Sequence, residues 1–262
     1  MTDKYAIFLD VDGTLAFPDN FPFGGKVSAE NARVIKAVRE LGHYVFINTG
    51  RAYGWIPKPV LNGAEYDGVV SGIGTSIIFR GESLFEDFVD RKTLRRVLEE
   101  VLPAGKTVMF GGMENVFVAN PDGEWDSPEF IKITAADDFD KKYPNANIQK
   151  VEIFASEITD SQRKLFEDNF SVYYHSFYVE GWNRGNSKAG GMKMAAEKLG
   201  VKIENCIAVG DSVNDIDVMT AAGISVAMGN ASDEVKSIAT IVTDTCENDG
   251  VAKALERLIL NK

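Results

Sequence analysis

Hydrophobic positions fall in two kinds of block along this chain. Short unbroken apolar runs read as buried strands, and stretches with apolar residues three and four apart read as helices packed on one face. Residues 5–9 form the first such run, closed by a glycine turn. Ser28 then suits an N-cap, with Glu30 in the first turn. Val34, Ile35, Val38 and Leu41 make an apolar helix face that Gly42 ends. Residues 44–47 predict a second strand and residues 68–70 a third. The rhythm returns after residue 186. A helix is expected over 187–199, stopping at Gly200, then a strand over 206–209 and a helix around 216–222. A strand over 225–227, a helix near 233–238, a strand over 240–242 and a helix from Val251 follow. Strand–helix alternation at both ends predicts an α/β fold: one doubly wound parallel sheet with helices on both faces.

The middle breaks that rhythm. Residues 93–101 have helical spacing, and residues 107–110 and 116–119 are strand-like. Gly111-Gly112-Met113-Glu114-Asn115 between them suits a hairpin-like turn. Further strand-like runs at 151–155 and 171–179 flank an amphipathic stretch at 162–170. This reads as a small α+β domain inserted into the sheet domain. The predicted division is 1–81 and 184–262 for the core and 82–183 for the insert. Gly81 and the segment 181–185 are the expected hinges. No internal repeat or low-complexity segment interrupts either part.

Bulk composition narrows the function. At 262 residues with 45% hydrophobic content, the chain has enough apolar material for one large or two modest cores. A net charge of −11 argues against nucleic acid as a partner, because phosphate backbones demand clustered Lys and Arg. An acidic protein that handles phosphate needs a local cation or metal. Cys206 lies in an apolar strand, so a buried free thiol is expected rather than a disulfide with Cys246. Neither a signal-peptide pattern nor an apolar run long enough to span a bilayer is read, so the expectation is a cytoplasmic protein with no membrane partner. Oligomeric state carries no signature.

Four segments carry candidate chemistry, each at a predicted strand end or helix start. Phe8-Leu9-Asp10-Val11-Asp12-Gly13-Thr14-Leu15 ends an apolar run in two aspartates one residue apart. Open α/β sheets bind ligands at that edge. One carboxylate can attack phosphorus and the second can pass a proton to the leaving oxygen. Gly13 is expected to turn tightly and leave its N–H free for an anion. Asn48-Thr49-Gly50-Arg51 places a hydroxyl and a glycine N–H at the next strand end, although Thr-Gly also simply makes turns. Lys188 opens a helix and supplies a cation; alone it would read as a solvated surface lysine. Gly210-Asp211-Ser212-Val213-Asn214-Asp215 offers two carboxylates flanking an amide. Asp211 suits a ligand of Mg²⁺ and Asp215 a supporting hydrogen-bonding role, with helix capping by Ser212 or Asn214 as the plain reading. Phosphoryl transfer needs all of these parts at once: nucleophile, acid/base, metal and clamps on the equatorial oxygens.

Together the segments resemble the haloacid dehalogenase superfamily of phosphohydrolases. Val226-Ala227-Met228-Gly229-Asn230-Ala231 and Asn248-Asp249-Gly250-Val251-Ala252 are similar to its Cof-like sugar-phosphatase branch, and the insert is placed like that branch's type IIB cap. The resemblance covers nearly the whole chain. It implies Asp10 as nucleophile, Asp12 as acid/base, and Mg²⁺ held by Asp10, the Asp12 carbonyl and Asp211. It implies phosphate held by Val11, Thr49, Gly50, Lys188 and Asn214. The expected activity is hydrolysis of a small phosphorylated metabolite, a sugar phosphate foremost. A phosphomutase and a catalytically silent binding module are the alternatives.

Two departures stand out. Ile73-Gly74-Thr75 replaces the branch's usual Asn-Gly-Ala, removing an amide, and Ala189 follows the lysine where Gly is usual. His43 lies just before a strand and His175 amid aromatics; no triad or zinc cluster is made from them, and they are expected to be structural. Trp55 and Trp125 are expected in packing. Trp182 and Arg184 sit at the expected hinge, where a role facing a cleft is weighed. Residues from Gly223 onward are expected to serve the fold, not the site.

Overall fold

The computed structural model describes residues 4–17, 25–154 and 158–261, except for the side chain of Glu124. The N-terminal part contains β1 (Ala6–Leu9), α1 (Ala29–Glu40), β2 (Tyr44–Asn48), α2 (Lys58–Gly63), β3 (Gly68–Ser71), β4 (Ser76–Phe79) and β5 (Glu82–Glu86). Next come α3 (Arg91–Ala104), β6 (Thr107–Gly112), β7 (Val116–Ala119), β8 (Ile131–Ile133), α4 (Asp138–Lys141), β9 (Ile148–Phe154), α5 (Asp160–Asn169), β10 (Ser171–Tyr174) and β11 (Val179–Trp182). The chain ends with α6 (Lys188–Lys198), β12 (Cys206–Gly210), α7 (Ile216–Ala221), β13 (Ile224–Ala227), α8 (Asp233–Ile238), β14 (Ile241–Val242) and α9 (Gly250–Leu255).

The chain divides into two compact units. One holds Met1–Gly50, Ile56–Phe85 and Ser187–Lys262; the other holds Arg51–Trp55 and Glu86–Asn186.

The first unit is built on an eight-stranded sheet in the order β14-β13-β12-β1-β2-β3-β4-β5. The strands from β14 to β3 are parallel to their neighbours, and β4 returns antiparallel to β3. The chain leaves β1 toward β2 and β3 on one side, and later fills the other side with β12, β13 and β14. The order therefore reverses between β1 and β12, which is the doubly wound arrangement. In such sheets the crevice beyond the strands' carboxyl ends at this reversal is the ligand site. Local signals explain the elements. Ser28 caps α1 by accepting from the N–H of Asn31, and the apolar face of α1 buries Val34, Ile35 and Val38. Buried on both faces, the central strands read as unbroken apolar runs. Phe8 stacks on Phe46 with ring centroids 5.1 Å apart, and Phe46 on Phe79 at 5.9 Å. Cys206 and Cys246 are buried free thiols, as read from the strand context of the former.

Strands β4 and β5 escaped the sequence reading. They are short, and β5 (Glu-Ser-Leu-Phe-Glu) is an edge strand with three exposed residues, so no apolar run marks it.

The second unit is a six-stranded sheet, β10-β11-β9-β6-β7-β8. All its neighbours are antiparallel except β7 and β8. The Gly111–Asn115 segment does join a hairpin, with Val116 paired to Gly111. The expected single run at 171–179 is instead the hairpin of β10 and β11, and the last residue of the run expected at 151–155, Ala155, lies outside the described residues. Leu94, Val97, Leu98 and Val101 of α3 and Phe166 of α5 pack with Val108, Phe110, Val151 and Ile153 in one core. Gly181 is not a hinge: it sits inside β11, where an added methyl group would meet Phe166 and Phe170. Trp182 Nε1 donates to the Asn186 carbonyl at 3.0 Å, and Arg184 Nε to the Phe170 carbonyl at 3.2 Å, so both tie this unit together. Trp55 and Trp125 pack edge to face at 5.8 Å. No helix among the described residues is long and apolar enough to cross a membrane.

Candidate active site

Strand register brings the first and fourth segments together. Leu9 lies opposite Val209 in the β1–β12 pair, and the Asp10 N–H donates to the Val209 carbonyl at 3.0 Å. Asp10 and Asp211 therefore leave adjacent parallel strands at the reversal point. Carboxylate oxygens of Asp10, Asp211 and Asp215 lie within 4.8 Å of one another. Such crowding of like charge needs a cation.

Lys188 supplies one. Its Nζ donates to Asp10 Oδ1 at 2.7 Å, to Asp215 Oδ1 at 2.7 Å and to Asn214 Oδ1 at 3.3 Å. The side chain is 1% exposed, the opposite of the surface lysine that its position alone suggests. Three contacts hold the helix start that carries it. Ser187 caps α6 by accepting from the Gly190 N–H, Asp217 accepts from the Ala189 N–H at 3.0 Å, and Asn48 donates to the Lys188 carbonyl at 3.2 Å.

Asp215 is the organising carboxylate. Its Oδ2 accepts the N–H groups of Asp211 at 3.1 Å and Ser212 at 3.2 Å, while Oδ1 takes Lys188. A side chain on Gly210 would collide with that carboxylate at 2.4 Å, so glycine is required there. The capping role weighed for this segment falls to Asp215 together with Ser212.

Charge follows from burial. Burial pushes Asp10 well above the usual carboxylate range; Lys188 opposes this, and the charges of Asp215 and Asp211 reinforce it. Asp211 is pushed up to about 7, by burial first and then by Asp215. Burial works against the charge on Lys188, but Asp10 and Asp215 outweigh it and raise its pKa. Ionising all three carboxylates would give the site more negative charge than one ammonium offsets. Clustered hard carboxylate oxygens fit a divalent cation.

The turn after β1 departs from expectation in one respect. The Gly13 N–H is not free for an anion; it donates to the Ala16 carbonyl at 2.9 Å. Glycine is needed for another reason. Its φ is +80°, and an added Cβ would stand 2.3 Å from Asp211 Oδ2. Val11 is buried, and its carbonyl accepts the N–H groups of Leu15 at 3.0 Å and Ala16 at 2.9 Å. Asp12 is half-buried in the same turn. Thr49 is buried at the carboxyl end of β2, with its N–H on the Val70 carbonyl at 2.9 Å, and half-buried Gly50 follows.

Two further side chains reach Asp211. Thr14 Oγ1 donates to Asp211 Oδ1 at 3.3 Å. Asn230 Nδ2 donates to the Gly13 carbonyl at 2.9 Å and lies 3.5 Å from Asp211 Oδ2, while its Oδ1 accepts the Cys246 N–H. The expectation that everything from Gly223 onward serves the fold alone is corrected by Asn230. Its signal was its place just past β13, at the same sheet edge as the other segments. The histidines lie elsewhere. His43 Nδ1 accepts the Tyr5 N–H, and His175 stacks on Tyr178 and bonds Glu180.

Known proteins share this architecture and sequence. The haloacid dehalogenase-like hydrolase family matches residues 7–255. The chain is 30% identical over 268 residues to the 5-amino-6-(5-phospho-D-ribitylamino)uracil phosphatase YcsE of Bacillus subtilis, covering 98% of this chain and 97% of that one. The solved structure of BT1666 from Bacteroides thetaiotaomicron, described among phosphatases of the haloalkanoate enzyme superfamily, aligns with TM-score 0.79 and 28% identity over 97% of this chain and 95% of that one. The subclass IIB sugar phosphatase BT4131 shares the fold, with TM-score 0.76 and 20% identity over 97% and 98% of the two chains. The protein belongs to the haloacid dehalogenase-like hydrolase family, and within it is a phosphatase.

Proposed function

We propose that the protein is a Mg²⁺-dependent phosphatase of a small phosphorylated metabolite, with sugar phosphates the leading class, working through an aspartyl phosphate on Asp10. The observation that carries this reading is the buried Asp10–Lys188–Asp215 chain of contacts beside Asp211. Lys188 engages Asp10 Oδ1, so attack on phosphorus falls to Oδ2. The phosphorus–oxygen ester bond breaks as the new bond forms, and Asp12 gives its proton to the departing alkoxide. Asp12 then takes a proton from water, which attacks the phosphoryl group, and Asp10 is released as a carboxylate with inorganic phosphate. Thr49, Gly50, Lys188 and Asn214 are the assigned partners of the phosphoryl oxygens, and Val11 is assigned through its backbone. Splitting the reaction in two suits esters whose uncatalysed hydrolysis is among the slowest known.

Asp10, the Asp12 carbonyl and Asp211 are the assigned Mg²⁺ ligands, with Asp215 orienting the loop. Mg²⁺ bound there would neutralise charge developing on the transferred group and keep the carboxylates ionised at neutral pH. The segment 82–183 is assigned substrate choice, by analogy with enzymes whose inserted domains exclude water from the site.

The deciding experiment is phosphate release from p-nitrophenyl phosphate with Mg²⁺ by the wild type and by Asp10→Asn. Loss of turnover in the variant is expected, and equal activity would overturn the nucleophile. Incubation with a hexose 1-phosphate checks the outcome: free phosphate supports hydrolysis, and an isomeric phosphate would make the protein a mutase.

A further inference from the structure

Ile73 adopts a backbone conformation that its side chain disfavours. Its φ is 59° and ψ is 38°, in the left-handed region. Among the described residues the other non-glycine positions with positive φ are Arg80, Asn120 and Asp249; Ile73 is the β-branched one. A β-branched residue there is a genuine outlier, because its branched Cβ crowds the backbone. Strain of this kind persists where the surroundings impose it, and it clusters at functional sites.

The surroundings do impose it. Ile73 lies in the turn after β3, and its N–H donates to the Thr49 carbonyl at 3.3 Å. Thr75 Oγ1 closes the turn on the Gly72 carbonyl at 2.9 Å. Gly74 packs directly on the backbone of Ser187, the residue before Lys188. The turn is thus wedged between the Thr49–Gly50 loop and the start of α6. Asparagine or glycine would meet this conformation at lower cost. Core packing does not account for the isoleucine, because the residue is only half-buried. Its side chain instead stands over a glycine: a Cβ on Gly50 would be 3.8 Å from Ile73 Cγ1.

We propose that Ile73 is a specificity-determining residue, an aliphatic wall beside Thr49 and Gly50 that favours phosphate esters with a hydrocarbon face near the ester oxygen and rejects those with a second anionic group there. This rests on the phosphatase reading above, in which Thr49 and Gly50 hold the phosphoryl group. A methylene against the wall gains contact, whereas a carboxylate there loses water and meets methyl groups. Differences of this kind between related substrates are worth roughly 10- to 200-fold in kcat/KM.

The test uses two esters with the same three-carbon chain, propyl phosphate and 2-carboxyethyl phosphate, with wild type, Ile73→Asn, Ile73→Gly and Ile73→Val. Wild type is expected to prefer propyl phosphate by at least about tenfold in kcat/KM. Asn and Gly should cut that ratio at least about fivefold, while Val, which keeps the branched wall, should retain it. Both Asn and Gly should also raise the melting temperature by relieving the turn. An unchanged ratio in a variant that melts at or above wild type overturns the proposal, and so does a lower melting temperature in both Asn and Gly. If wild type releases phosphate from neither ester nor from p-nitrophenyl phosphate, the phosphatase reading falls and takes this one with it. Release with an unmoved ratio overturns this one alone.

Discussion

Lys188 Nζ lies 2.7 Å from Asp10 Oδ1, although the two stand 178 positions apart in sequence. The lysine is the positive centre of a buried group of carboxylates, and its place depends on the cap of α6 and on Asn48. Removing one member of a buried ion pair leaves its partner's charge uncompensated, at a cost of about 3–5 kcal/mol. Lys188→Met should therefore lose both turnover and roughly that much stability. Urea unfolding monitored with a phosphatase assay checks it, and a variant as stable as wild type would remove the lysine from this role.

Asp211 should control metal-linked stability. A cation that binds only the folded chain stabilises by about 2.7 kcal/mol when present at about a hundred times its Kd. Thermal melting with increasing MgCl₂ should show a rise for wild type, reversed by EDTA. Asp211→Asn should flatten that rise. Parallel curves for the two proteins would exclude Asp211 as a ligand.

Gly13→Ala should be far more disruptive than an exposed loop substitution. Its φ of +80° and the 2.3 Å approach to Asp211 Oδ2 leave no room for a methyl group. We expect at least about 1 kcal/mol of destabilisation and a loss of metal-dependent activity. Metal titration of the folded variant separates the two effects.

Asp67 predicts an acid-sensitive element away from the chemistry. It accepts from Arg39 Nε at 3.0 Å, Arg80 Nη2 at 3.2 Å and the Val45 N–H at 3.1 Å. Burial alone would raise its pKa, but these partners together hold it below the usual carboxylate range. A depressed folded pKa gives stability that is present above the unfolded value, about 3.9, and lost as pH falls through the folded value. Asp67→Asn should lower stability at pH 7 and make it fall less steeply below about pH 4. Chemical denaturation at pH 7 and pH 3 measures both, and identical slopes for the two proteins would exclude Asp67.

The chemistry-bearing residues were legible because phosphoryl transfer demands particular side chains at strand ends, and periodicity locates strand ends. Asp10, Asp211 and Asp215 follow predicted strands, Lys188 opens a predicted helix, the resemblance implies the phosphate role of Asn214, and the fold brings the five together. Thr49 and Gly50 were picked out too and sit at the neighbouring strand end. Asn230 was passed over, because a lone asparagine after a strand also makes a turn and nothing local links it to Gly13. Edge strand β5 was missed because its exposed residues dilute the apolar run that marks a strand, and β10 and β11 read as one run because the turn between them, residues 175–178, has neither Gly nor Pro.

Local pattern is enough for the α/β class, because burial on one face or two writes itself into hydrophobic spacing. Only the tertiary structure decided that Lys188 is buried, that Gly13 spends its N–H on Ala16, and that Ile73 is held in a left-handed turn beside Gly50. Each of these depends on which distant segment packs alongside, and spacing along one chain carries no record of that.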